Sequence, residues 1–75
     1  MSTSIGQQLI ERGIERGIIQ ARQQDILLVL TRRFGAPPAA VAERIAQIED
    51  AQGLEMILGA AAAAASLEEF AQDLG

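Results

Sequence analysis

The chain has 75 residues and a formal net charge of −4. That length accommodates one domain, and a chain so short buries only about 60% of the surface it exposes when unfolded, so it needs outside stabilisation. Cysteine and histidine are absent and every positive side chain is an arginine; this excludes disulfides, thiolate metal sites and the usual nucleophile–base pairs, and leaves a partner chain as the expected source of stability.

The composition is rich in alanine, isoleucine, leucine, glutamine, glutamate and arginine, and poor in threonine, valine and aromatics. These are helix-forming preferences. The acidic balance argues against general nucleic-acid binding, which draws its affinity from basic residues meeting phosphates. The opening Met-Ser-Thr-Ser-Ile has no basic region and no long apolar core, so no signal peptide is expected. No apolar run reaches the roughly 18 residues of a membrane span. The expected compartment is the cytoplasm.

The first expected element is one long helix from about Ser4 to Phe34. Ser4 suits its N-cap. Arg32 and Arg33 suit the last turn, where positive charge complements the helix dipole. Gly35 suits the position after the helix, and Pro37-Pro38 prevents continuation. Within it, Glu11-Arg12-Gly13-Ile14 repeats as Glu15-Arg16-Gly17-Ile18. A four-residue step turns a helix by about 400°, so successive repeats drift about 40° around the axis. Followed at that step, Ile10, Ile14, Ile18, Arg22, Ile26, Leu30 and Phe34 form a slow spiral, whose period above 3.6 favours right-handed wrapping around a neighbour.

A second helix is expected from Pro38, at its first position, to about Glu49. Val41, Ala42, Ile45, Ala46 and Ile48 make its apolar face, with Glu43, Arg44 and Gln47 opposite. A third begins near Asp50, an N-cap candidate, or near Gly53, which suits the end of the preceding helix; both readings stay open. Its apolar face is Leu54, Ile57, Leu58 and Ala61, followed by the small side chains of Ala60 to Ala65, suited to close helix packing. Ser66-Leu67-Glu68-Glu69 has capping-box spacing. It opens a short last helix carrying Leu67, Phe70, Ala71 and Leu74. The expected fold is all-α: a long N-terminal helix followed by a compact three-helix unit, assembled as a helical oligomer. Residues 1–22 form the N-terminal part of the long helix and the oligomerisation segment, and residues 23–75 the small helical domain.

The long helix is what points to assembly. Thirty helical residues span about 45 Å. The residues after the bend would form a globule roughly 23 Å across, with a radius of gyration of about 9 Å. The turns from Ile5 to Ile18 therefore face solvent or another chain. Alone they are poor helix: Gly6, Gly13 and Gly17 each cost about 1 kcal/mol relative to alanine. Glu11 with Glu15, and Arg12 with Arg16, are like charges one turn apart. A second copy running antiparallel addresses these costs together. The glycines admit close approach, the isoleucines become buried, and the acidic row of one copy lies beside the arginine row of the other. The interface candidates are Leu9, Ile10, Gly13, Ile14, Gly17 and Ile18. A partly disordered linker is the competing reading.

No catalytic, cofactor-binding or metal-binding residue is expected. Ser2, Ser4 and Ser66 read as tail or capping residues. The pairs Glu11/Glu15, Glu49/Asp50 and Glu68/Glu69 read as solvated carboxylates. Carboxylate metal sites in helical bundles normally add histidine. Arg32 and Arg33 form the only basic dipeptide; beside their dipole role they are candidates for a phosphate or partner contact.

Three stretches carry a family resemblance. They are Ile26-Leu27-Leu28-Val29-Leu30-Thr31-Arg32-Arg33-Phe34-Gly35 with the prolines after it, Val41-Ala42-Glu43-Arg44-Ile45, and Ala65-Ser66-Leu67-Glu68-Glu69-Phe70. Together they resemble a helical domain of unknown function that closes many bacterial proteins of the Rpn family of recombination-promoting nucleases. The Glu-Arg-Gly-Ile repeat is similar to the glycine-spaced connecting region of those proteins. The resemblance covers most of the chain, and Arg-Arg-Phe-Gly with the later Ser-Leu-Glu-Glu is its most specific pair. Such proteins carry a nuclease domain of the PD-(D/E)XK type, which needs metal-binding acids and a lysine. This chain has no lysine, so no catalytic residue carries over. The Gly59/alanine stretch replaces an aromatic or polar residue common in the family's third helix. The resemblance implies a non-catalytic role in assembling or regulating a nuclease-bearing relative, with the chain itself and that relative as partners. Met1 fits a stand-alone small protein, an internal-start product or a fragment. Two other roles stay open: a nucleic-acid-binding accessory domain using Arg12, Arg16, Arg22, Arg32 and Arg33, and a linker-plus-cap with no independent role.

Overall fold

The computed structural model describes the backbone of residues 5–74 and the side chains of residues 13–74. Four helices follow one another: α1 (Ile5–Phe34), α2 (Ala39–Gln47), α3 (Ala51–Ala63) and α4 (Leu67–Leu74). The described residues contain no strand, so the chain is all-α. Helix α1 runs through position 22 without interruption. At about 1.5 Å per residue it accounts for most of the long dimension of a particle measuring 50 × 17 × 17 Å.

The helix boundaries follow local chemistry. Helix α1 ends where Gly35 takes φ +88° and its N–H donates to the Thr31 carbonyl at 3.0 Å. A Cβ at Gly35 would meet nothing within 4 Å, so the cost of Gly35→Ala comes from the backbone alone. It should be about 1–2 kcal/mol, read as a lower urea midpoint with an unchanged slope. Helix α2 starts one residue later than expected. Pro38 is its N-cap, with extended ψ 152°, and its carbonyl accepts from Val41 and Ala42. The helix stops at Gln47, and Ile48 is extended.

Asp50, and not Gly53, marks the next boundary: its carboxylate accepts from the Gln52 N–H at 3.3 Å. Ser66 opens α4 as its spacing predicts, its hydroxyl accepting from the Glu69 N–H at 3.1 Å. The Glu69 carboxylate reaches back to the N–H of Ala65, one residue before the position usual in a capping box. The proposed cap Ser4 lies outside the described residues.

The core is built from the second half of α1 and one or two residues of each later element. Ile26, Leu30, Ile45, Leu54, Ala61, Ala64 and Phe70 are buried. Helix α1 packs most extensively against α3. The alanine run explains that closeness: Ala61 and Ala64 are buried, while Ala62, Ala63 and Ala65 face outward. Ala46 and Ala71, expected on apolar faces, are exposed. Small side chains at the edge of a short amphipathic face bury little area, so burial hardly decides where they lie.

Helix C-termini leave carbonyls without intrahelical donors. Three side chains from distant elements supply them. The Gln23 side-chain amide donates to the carbonyls of Ile45 (3.3 Å), Ala46 (3.2 Å) and Ile48 (2.9 Å) at the end of α2. Arg33 Nη1 donates to Ala61 O in α3 at 2.7 Å, and Arg44 Nη2 to Leu74 O in α4 at 3.3 Å. Gln23→Ala should cost about 1 kcal/mol. Gln23→Glu should cost more, because it sets a carboxylate against three carbonyl oxygens. Urea unfolding of both variants checks that order.

Candidate functional site

The expected interface lies on the part of α1 that the later helices do not cover. Each residue from Gly13 to Ile18 is exposed, and Ile19 is the first described α1 residue packed against the core. Ile14 is 59% exposed and Ile18 45%. Gly13 and Gly17 are exposed, and a Cβ built on either meets nothing within 4 Å. The side chains of Leu9 and Ile10, and of Arg12, lie outside the described residues.

The apolar surface also extends beyond that overhang. A helix turns about 100° per residue. Measured from Ile14, the residues Ile18, Ala21, Asp25, Leu28 and Arg32 then fall within about 40° on either side. All are exposed, Leu28 at 52%. Buried Ile26 and Leu30 lie about 120° and 160° away. So α1 has two apolar faces. One packs on α3 and α2. The other points away from them and runs from Ile14 to Arg32, about 27 Å along the axis.

This changes the spiral read from the four-residue step. That spiral is not one contact surface: it begins exposed at Ile14 and Ile18, passes half-buried Arg22, and enters the core at Ile26 and Leu30. The exposed stripe advances instead by alternating steps of four and three, the spacing of a left-handed coiled-coil seam. Leu28 is the residue that sequence reasoning missed. The alternating spacing was available in the sequence, but three adjacent apolar residues, Ile26, Leu27 and Leu28, hid which of them faces outward.

The two arginines expected as a pair do different things. Arg33 is tied to the Ala61 carbonyl, and its guanidinium carbon lies 4.7 Å from the centre of the Phe34 ring. Arg32 lies on the exposed stripe. On the other side of α1, an open cleft of about 580 Å³ is lined by Glu15, Arg16, Ile19, Gln20, Gln23, Ala46 and Glu49. Its charges are mixed and it contains no nucleophile with a base. Among the described residues no three acidic side chains gather into a metal site, and no helix is long and apolar enough to cross a membrane.

No family model, no curated protein and no solved structure matches the chain. The molecule's own surface is therefore the guide to function. That surface carries an apolar stripe with one carboxylate and one guanidinium set into it.

Proposed function

We propose that the chain is a non-catalytic helical self-association module, a homodimer or higher oligomer joined through α1. The supporting observation is the exposure of Ile14, Ile18 and Leu28 on one side of a single helix. Covering such side chains fully is worth about 1.5–3 kcal/mol each relative to water. A monomer leaves roughly half of that unrealised on three residues. Gly13 and Gly17 lie beside the stripe and weaken α1 as an isolated helix, a cost that contact with a second helix offsets. Light scattering across a concentration series tests the proposal directly. A mass that rises to twice that of the chain supports it, and a constant monomer mass overturns it.

The resemblance to the closing helical domain of Rpn-family nucleases suggests where such a module works. On this reading the chain assembles with, or regulates, a nuclease-bearing relative by entering mixed oligomers. Adding it to such a relative should reduce DNA cleavage. Unchanged cleavage, with co-assembly demonstrated on a sizing column, counts against that role while leaving self-association intact.

A further inference from the structure

We infer that the pair is antiparallel and has one register, with Ile18 of each copy packed on the partner's Leu28. This rests on the self-association reading and specifies its geometry. The charges within the stripe decide the orientation. In a parallel, in-register pair each seam position meets itself. Asp25 would then face the partner's Asp25, and Arg32 the partner's Arg32. Both residues lie on the exposed stripe between or beside its apolar members. Covering two like charges against each other leaves them desolvated and without a partner. Reversing one copy removes both clashes and also sets the helix dipoles head to tail.

Few antiparallel alignments keep the seam in step. With Ile18 on the partner's Leu28, Asp25 faces the partner's Ala21, whose methyl group leaves a carboxylate room. One residue further along lies the partner's Arg22. That arginine is half-buried on the flank of the stripe. Its positive charge thus lies within one residue of the position opposite Asp25 of the second copy. At the ends, Arg32 lies over the partner's Ile14, where its aliphatic stem covers the isoleucine and its guanidinium reaches water. Sliding the partner by one heptad in one direction sets Asp25 against Ile14 and Leu28 against Glu11. Sliding it in the other direction carries Ile14 and Ile18 past the end of the partner's α1 at Phe34. Only the first alignment gives Leu28 and both isoleucines an apolar neighbour or stem.

The absence of cysteine makes the test clean, because any introduced thiol is the only one in its chain. Sedimentation of the unsubstituted chain comes first: a monomer at every concentration overturns the self-association reading and this inference together. If it is a dimer, Ile18→Cys and Leu28→Cys are prepared separately and oxidised alone and mixed. In the inferred pair the two thiols introduced at position 18 lie about 15 Å apart along the axis, beyond disulfide reach. Disulfides should form in the mixture and not in either variant alone. Crosslinking of Ile18→Cys with itself shows a parallel pair or an antiparallel pair slid by a heptad, and either overturns the inference. A dimer with no crosslink in the mixture shows another register and also overturns it. Should either thiol variant itself be monomeric, Ala21→Cys and Asp25→Cys replace them. Their mixture should crosslink about tenfold faster than either alone, given the steep distance dependence of the bond; faster crosslinking of Ala21→Cys with itself overturns the inference.

Discussion

Replacing Ile14 and Ile18 together with aspartate should turn a concentration-dependent oligomer into a monomer with an intact core. Both side chains point away from the core, at 59% and 45% exposure, so folding of α2, α3 and α4 does not depend on them. In a pair, the double change sets four carboxylates into a surface that gains its affinity from excluding water. Each lost isoleucine removes about 1 kcal/mol or more of burial, and each carboxylate adds a desolvation cost. The dissociation constant should rise at least about 100-fold, equivalent to about 2.7 kcal/mol. Light scattering reads the loss of mass. Far-ultraviolet circular dichroism at low concentration should change little between the two chains, because both are then monomeric. An unchanged mass in the double variant would mean that this side of α1 is not the interface.

Phe70→Ala should have the opposite character, unfolding the domain. Phe70 is fully buried and is the largest side chain in the core, held on the eight-residue helix α4. Truncating a buried phenylalanine to alanine costs about 3–5 kcal/mol. A chain of this length has a total stability of about 4–11 kcal/mol, so the loss takes a large share or all of it. The variant should show reduced helicity at ordinary temperature, or a urea transition beginning near zero denaturant. Met56→Ala is the control. Met56 is 77% exposed on α3, and its loss should move stability by no more than about 0.5 kcal/mol. If the native pair is coupled to folding, the thermal midpoint of the unsubstituted chain should also rise with concentration.

The four helices were legible because their determinants are local. Gly35 is needed where the backbone takes a positive φ, Ser66 accepts from the N–H three residues on, and the prolines bar continuation of α1, whereas the choice of Asp50 over Gly53 needed the folded chain. Errors at the edges were also local: Pro38 is a cap where a first helical residue was expected, and Ala46 and Ala71 bury too little area to be held inward. That Gly13, Ile14, Gly17 and Ile18 would lie uncovered by the later helices was legible for another reason. The residues after Gly35 are too few to surround a helix of 30 residues, and that follows from length alone.

Other features required the folded chain. Gln23 closes the end of α2 across 22 to 25 positions of sequence, and Arg33 reaches α3 across 28. Nothing near either residue in the sequence marks it for that task. Ile26 and Leu28 are both apolar and two residues apart, yet one is fully buried and the other 52% exposed. Composition and spacing thus determined that the chain is helical, that its helices are broken near Gly35, near Asp50 or Gly53 and near Ser66, and that the first is too long for the rest to cover. Only the tertiary structure decided which side of that helix the rest covers, because burial depends on which distant surfaces arrive, and a helix with apolar residues on two faces accepts either.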